Sequence, residues 1–278
     1  MNHVRIGLLT ISSLSILLLG THAQAQATQA TNPIVHILES QDQYGPNELH
    51  VLTPNHLVPD RKYPVLYVLP VYPGAKPAVT AIDEARKLDL ANRYNVICVS
   101  PAFDRMPWYA DHATDPHIRQ ESYFLNTVIP FVENHYPTMP EARGRLLVGY
   151  SKSGWGAFTL LLRHPDLFSK AAAFDAPLAT KELAPFRLET ILGTQENFEH
   201  YRVDKLIEQR ADLLKQSGAR LILLGDGRFA AEHQFIHEKL EMLGVPHHWE
   251  HGTPREHKWN SGWLEPAVQF LFSEEQSR

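Results

Sequence analysis

Short runs of apolar residues alternate with amphipathic segments along most of this chain. The runs at 63–69 and 94–100 are nearly continuous, as is typical of strands that are covered on both faces. Similar apolar or alternating patterns predict further strands at 34–38, 48–52, 145–149, 171–174, 220–224 and 246–251. Apolar residues spaced three to four apart, with Pro and Gly at the segment ends, predict helices over 77–94, 117–135, 154–163, 206–216, 231–243 and 264–272.

This alternation of strands and helices predicts an α/β fold. A mostly parallel sheet with helices on both faces accounts for the apolar strands, and the first two strands extend one edge as an antiparallel pair. Since no internal repeat or low-complexity linker interrupts the pattern, we expect a single domain over 26–278. The segment 176–218 is long for a simple connection and predicts a helical cap between strands six and seven.

The first 25 residues have the pattern of a secretory signal peptide. Arg5 precedes a mostly apolar stretch at 6–19, and the segment ends on an Ala-x-Ala motif at 23–25. The alternative is a membrane anchor, but the stretch is short for a bilayer span of about 20 residues. We therefore expect export to the periplasm or the medium, with no membrane association after the signal peptide is removed.

Composition and charge narrow the classes of partner. The 26 basic residues are outnumbered by 31 acidic residues, so the net charge is −5, which disfavours a nucleic-acid-binding protein. Cys98 is the single cysteine, so no disulfide forms within the chain, and its apolar neighbours indicate a buried core residue.

The strongest chemical signal is Gly-Tyr-Ser-Lys-Ser-Gly-Trp-Gly-Ala at 149–157. It follows a predicted buried strand directly and opens a predicted helix, which is the context of a nucleophile elbow with Ser151 as nucleophile. Ser153 stands where this motif usually has its second glycine. The alternative is a Gly/Ser turn that only caps the helix. The spacing of a phosphate-binding loop is absent.

A serine nucleophile needs a base and an acid. The base that we favour is His257, in the loop after the last predicted strand, with His251 as a distant second. Asp226 follows the strand at 220–224 and is slightly preferred as the acid. Asp175, at the end of the strand at 171–174, is its rival, and Glu232 is a weaker third candidate.

The clustered histidines also raise the alternative of a zinc site. His233 and His237 are four apart on a predicted helix and share a face, with His247, His248 and His251 further along. The sequence lacks the His-Glu-x-x-His motif, and these histidines do not form a complete set of zinc ligands by their spacing. Surface and core histidines are the preferred interpretation, so we predict neither a metal nor a cofactor.

In these features the chain resembles the secreted putative-esterase family of α/β-hydrolases, which includes enterochelin, feruloyl and acetyl-xylan esterases. S-formylglutathione hydrolase and the mycolyltransferases are further members. The resemblance covers about residues 45–272, and the matching segments are 63–69, 121–124, 128–130, 149–157, 163–168, 240–244 and 257–259. It implies an α/β-hydrolase fold, with Ser151 as the nucleophile and His257 as the base.

The resemblance also implies where the oxyanion would be bound. The N–H of Lys152 would be one donor, and the N–H of Tyr72 matches the position of the other. The family's His-Gly pair before that donor is replaced here by Pro70-Val71, and Asp175 stands where the family usually has a serine.

These observations predict an exported serine hydrolase that cleaves a small-molecule carboxylic ester through a Ser-His-Asp triad. Trp108 and Trp155 are candidates for an aromatic wall around the substrate, although core packing explains them equally well. Two alternatives remain. One is a catalytically silent hydrolase fold that binds a ligand or carbohydrate, and the other is an acyltransferase that uses the same triad.

Overall fold

The structure is a computed structural model that describes residues 32–74 and 80–273. The predicted signal peptide, residues 1–25, lies outside the described residues. Eight strands form one sheet in the order β1-β2-β4-β3-β5-β6-β7-β8. The strands are β1 Ile34–Leu38, β2 Asn47–Leu52, β3 Val65–Leu69, β4 Ile97–Pro101, β5 Arg145–Tyr150, β6 Lys170–Phe174, β7 Leu221–Leu224 and β8 His247–Glu250.

The predicted mostly parallel sheet is confirmed. Strands β3 to β8 are parallel to one another, while β2 pairs antiparallel with both β1 and β4. The antiparallel edge is therefore present, but β2 alone runs against the other strands. The carboxyl ends of the parallel strands share one edge of the sheet, so the loops after β5, β6, β7 and β8 meet there.

Helices cover both faces of this sheet, as predicted. They are α1 Ala81–Lys87, α2 Leu90–Tyr94, α3 Gln120–Tyr123, α4 Ile129–His135, α5 Lys152–Arg163, α6 Glu189–Leu192, α7 Gln195–Glu199, α8 Val203–Gln216, α9 Ala230–Met242 and α10 Leu264–Phe272. The single helix predicted over 77–94 is wrong for its described part. Asp89 adopts a left-handed conformation (φ 52°) and separates α1 from α2.

The helix predicted over 117–135 is also interrupted. A π-helical turn at Phe124–Val128 separates α3 from α4. Pro130, in the first turn of α4, has no N–H to donate to the preceding turn, and its ring would clash with the carbonyl there. The wider turn accommodates the proline ring.

Alternating side chains of the strands enter two separate cores. Val65, Tyr67 and Leu69 pack in the larger core, with residues of α5, α8 and α9. Leu66 and Val68 pack on the opposite face, with residues of α1, α2 and α10. Because both faces of β3 are covered, its five residues are all buried, which explains the continuous apolar run in the sequence.

The segment 176–218, which we predicted to form a cap, is largely helical. It contains a 3₁₀ turn at Ala184–Phe186 and the short helices α6 and α7, followed by α8. Helix α8 packs along α5 and is an ordinary connection helix of the sheet. The additional elements between β6 and α8 are therefore the 3₁₀ turn and the two short helices α6 and α7. Within residues 32–74 and 80–273, no helix combines the length and the apolar character that a membrane span requires.

Candidate active site

Ser151 lies at a sharp turn between β5 and α5. Its backbone has φ 53° and ψ −130°, a combination that L-residues rarely adopt. The turn is held by the Ser151 N–H, which donates to Phe174 O at 3.1 Å, and by Ser151 O, which accepts from Gly154 N at 2.9 Å. This is the strained geometry of a nucleophile elbow, and it presents the serine at the carboxyl edge of the sheet.

Ser153 fits the elbow although glycine is usual at this position. Its buried hydroxyl accepts from the Tyr150 N–H at 2.9 Å and donates to Tyr150 O at 2.8 Å, so it closes the turn. The close approach of strand and helix instead requires Gly149 and Gly154. A Cβ on Gly149 would collide with Ser153 O, and one on Gly154 would lie 2.8 Å from Ala176 Cβ.

His257 follows β8 and packs against the residue before the nucleophile. Its imidazole lies 4.6 Å from the Tyr150 ring and 5.5 Å from the Phe229 ring, measured between centroids. Its Nδ1 lies 2.5 Å from Asp175 Oδ2. The Nδ1–H therefore donates to the carboxylate and leaves the lone pair of Nε2 available. In the described part of the chain, Ser151 Oγ has no hydrogen bond to His257.

Asp175 follows β6 and is completely buried. Its other carboxylate oxygen accepts from the Phe229 N–H at 2.7 Å. A Cβ on Gly227 would collide with this carboxylate, so the loop before α9 is shaped around it. Burial raises the pKa of Asp175, but the hydrogen bonds from His257 and Phe229 outweigh burial and hold the pKa below its ordinary value.

The slight preference for Asp226 is not supported by these contacts. The Asp226 carboxylate lies 3.2 Å from His251 Nδ1 and accepts from the Thr253 N–H at 3.2 Å, and the structure shows no contact between it and His257. Glu232, the third candidate, accepts instead from the Ala179 N–H at 2.8 Å. Of the three predicted acids, only Asp175 is hydrogen-bonded to the predicted base.

A buried histidine stands directly behind Asp175. His233 Nε2 accepts from the Ala176 N–H at 2.8 Å, and burial lowers the pKa of His233 to about 4. The imidazole is therefore neutral at neutral pH and holds the backbone next to the acid. Sequence reasoning missed this role, as it missed Gly227. Gly225 and Gly227, on either side of Asp226, are the sequence feature that could have indicated both roles. A side chain at Gly225 would collide with His233, and one at Gly227 would collide with the Asp175 carboxylate.

The loop after β3 is tied to the elbow. Lys152 Nζ donates to Val71 O at 3.2 Å, and the buried Tyr109 hydroxyl donates to Pro70 O at 2.8 Å. The Lys152 ammonium also lies 5.0 Å from the centroid of the Tyr72 ring, which is within cation–π range. Burial lowers the pKa of Lys152. Two side chains thus hold the carbonyls of Pro70-Val71, the pair that replaces the usual His-Gly.

Trp108 and Trp155, the two residues that the sequence suggested for an aromatic wall around the substrate, lie in the core. Trp108 and Trp155 are 2% and 0% exposed, and they pack edge to face in the core at 5.5 Å between centroids. Trp108 also contacts the Phe186 ring and Trp155 the Tyr201 ring, so neither indole is available at the surface. The rings that surround His257 are those of Tyr150 and Phe229, and Trp259 lies 5.5 Å from Tyr150.

A mostly parallel eight-stranded sheet with a serine at a strained strand-to-helix turn is the arrangement of the α/β-hydrolases. The family model described as "Putative esterase" matches residues 44–249. The chain belongs to this family, and the resemblance that the sequence predicted is confirmed.

Curated relatives match only in part. Esterase MT1326 of Mycobacterium tuberculosis (strain CDC 1551 / Oshkosh) is 26% identical over 136 residues, which are 46% of this chain. The matched region spans only 29% of that protein's length.

Solved structures match over most of the chain. A ferulic acid esterase superposes with a TM-score of 0.71 at 19% identity and covers 88% of this chain and 98% of its own. The fluorophosphonate-binding serine hydrolase F of Staphylococcus aureus, in a substrate-bound structure, superposes with a TM-score of 0.70 at 17% identity. It covers 87% of this chain and 98% of its own. These likenesses confirm the predicted α/β-hydrolase fold.

Proposed function

We propose that this protein is a serine esterase in which Ser151, His257 and Asp175 form the catalytic triad. The observation that carries the proposal is the hydrogen bond of 2.5 Å between His257 and a buried carboxylate, beside a serine with strained backbone. Three chain segments that are far apart in sequence converge here at one edge of the sheet. Family membership supports ester hydrolysis as the reaction.

In the proposed reaction, Ser151 Oγ attacks the acyl carbon of the ester while His257 Nε2 takes the serine proton. The tetrahedral intermediate collapses, and the same proton passes to the leaving alcohol, which leaves an acyl-enzyme. Water then attacks the acyl carbon while His257 Nε2 takes a proton from it. This proton passes to Ser151 Oγ as the bond between the acyl carbon and Oγ breaks, and the carboxylic acid is released. Asp175 holds the imidazole in the required tautomer and stabilises the imidazolium.

The oxyanion would be bound by two backbone N–H groups. Lys152 is the first residue of α5, so its N–H lacks an acceptor within the helix and lies at the positive end of the helix dipole. Tyr72 carries the second donor on the loop that Lys152 Nζ and the Tyr109 hydroxyl hold in place. The loop is therefore held in place although Pro70-Val71 replaces the usual His-Gly pair. This anchoring favours an active esterase over the ligand-binding alternative.

Fluorophosphonate labelling of the folded protein tests the proposal. We expect stoichiometric labelling of the wild type and none in Ser151→Ala, because only an activated serine reacts. Ser217→Ala is the control: it removes an exposed hydroxyl at the end of α8 and should keep the label. Unlabelled wild-type protein of native circular dichroism would contradict the proposal and favour a ligand-binding protein.

We also propose that the protein acts outside the cytoplasm. The support is the charged start, apolar stretch and Ala-x-Ala motif of residues 1–25. N-terminal sequencing of protein recovered from the periplasm or medium should begin at Gln26. Retention of the unprocessed chain in the cytoplasm would contradict this part of the proposal.

A further inference from the structure

Away from the proposed active site, three potential metal ligands meet between α9 and β8. His237 and Glu241 are one turn apart on α9, and His247 is the first residue of β8. One ligand atom from each lies within 4.8 Å of the other two. The other histidines of the predicted alternative have partners elsewhere: Ala176 for His233, Phe270 for His248 and Asp226 for His251.

The His247 ring is already oriented as a ligand. Its side chain is 2% exposed, and its Nδ1 lies 2.8 Å from Val245 O. Because a carbonyl only accepts, Nδ1 carries the proton and Nε2 presents its lone pair. A hydrogen bond from the second ring nitrogen to a backbone carbonyl is the usual support of a metal-bound histidine.

The remaining two ligands face that lone pair. His237 Nδ1 lies 2.8 Å from His247 Nε2, and a Glu241 carboxylate oxygen lies 3.8 Å from it. The His237 ring is held by stacking on Trp249, at 4.9 Å between centroids and 8° between planes. Two rings of defined orientation and one exposed carboxylate, 66% accessible to solvent, therefore surround one point.

We propose that His237, Glu241 and His247 bind a borderline divalent cation, with Zn²⁺ as the best fit. Two imidazoles and one carboxylate leave a fourth tetrahedral position for water. With metal–nitrogen bonds of about 2.0 Å, the two nitrogens would sit about 3.3 Å apart, so the rings need to separate by about half an ångström. The proton on His237 Nδ1 moves to its Nε2 through solvent, and both rings then bind as neutral imidazoles.

The cation would tie α9 to β8 without entering the active site. The opposite end of α9 adjoins Phe229, which holds Asp175. His237 lies eight positions after Phe229, which is about 12 Å along the helix. Bound metal is therefore expected to raise the melting temperature through linkage.

Equilibrium dialysis of tag-free, chelator-treated protein against zinc chloride tests this proposal. We expect one zinc per chain, bound at least about tenfold more weakly in Glu241→Gln and in His237→Gln. His251→Gln is the control, since His251 also stacks on Trp249 but lies outside the proposed ligand set, so the affinity should be unchanged. Glu241 is exposed, so its variant is expected to fold.

A second measurement uses cobalt as a spectroscopic probe. Co²⁺ at the site should give the visible absorption of a four-coordinate ion, and Glu241→Gln should remove it. Zinc affinity that is unchanged in both ligand variants would overturn the proposal. Absence of saturable binding below about 100 μM free zinc would also overturn it, since a site that weak would add almost no stability at such zinc concentrations. Labelling of Ser151 is expected to be independent of zinc, which separates this test from that of the proposed esterase activity.

Discussion

Two histidine–aspartate pairs lie at the ends of neighbouring strands, and they differ in nearly every physical respect. His257 and Asp175 have side-chain exposures of 28% and 0%, whereas those of His251 and Asp226 are 66% and 17%. The nitrogen–oxygen distance is 2.5 Å in the first pair and 3.2 Å in the second. A buried pair interacts through a lower effective dielectric, while a surface pair is screened by water and salt.

The surroundings of the two carboxylates explain this difference. Asp175 is enclosed by the Phe229 N–H, by Gly227 and by the backbone that His233 holds. Asp226 has only the Thr253 N–H and the exposed ring of His251 as hydrogen-bond partners among the described residues. Only the enclosed carboxylate has the preorganisation that a catalytic acid needs. A position directly after a parallel strand is therefore not enough to make an aspartate a catalytic acid. The carboxylate must also be enclosed by groups that fix its orientation.

The largest effect is expected from removing one histidine of each pair. His257→Ala should lower kcat for a chromogenic acetate ester by about 10⁴-fold or more, because the variant lacks the proposed base for Ser151. His251→Ala should stay within about twofold of wild type, as is usual for an exposed pair. A comparable loss of kcat in His251→Ala would contradict the assignment of His257 as the base.

Substitution of the two aspartates should lower kcat to very different extents, as with the two histidines. Asp175→Asn should lower kcat by about 10³- to 10⁴-fold, because an amide stabilises the wrong tautomer of His257. The same change at Asp226 removes one charge at the surface and should cost less than about threefold. Steady-state kinetics on both variants decide the matter, and an inactive Asp226→Asn with an active Asp175→Asn would refute the assignment.

Acid stability offers a third contrast. The folded-state pKa of His233 is about 4, against an ordinary 6.5, so between these values the unfolded chain binds the proton more readily. Stability should therefore fall as pH drops from 6.5 to 4, by on the order of 3 kcal/mol. Urea unfolding across this window measures it. His233→Gln should flatten the dependence while His251→Gln should not, and an unchanged slope in His233→Gln would exclude His233 as its source.

The smallest effect concerns the loop that carries Tyr72. Lys152→Met retains the backbone N–H but removes the donor to Val71 O. We expect kcat to fall about tenfold with little change in KM, because the oxyanion donor is positioned less well in the transition state. Lys215→Met removes an exposed lysine paired with Asp212 and is the control. A change confined to KM would indicate a role in substrate binding instead.

The sequence alone determined the fold class, the order of the strands and helices, and the elbow serine. These features depend on local periodicity and on a contiguous motif, so they are readable without tertiary contacts. Two of the predicted helices were nevertheless wrong in extent, and both for local reasons. The left-handed Asp89 and the π turn before Pro130 interrupt helices whose apolar pattern continues unbroken in the sequence.

Only the tertiary structure decided which aspartate meets His257 and which aromatic rings surround it. Both aspartates follow a parallel strand, and strand ends converge at one edge, so spacing along the chain cannot rank them. The choice depends on the path of the loop before α9, which encloses Asp175 because Gly227 leaves space and the Phe229 N–H points inward. Burial is likewise a property of packing, which is why Trp108 and Trp155 proved to be core residues.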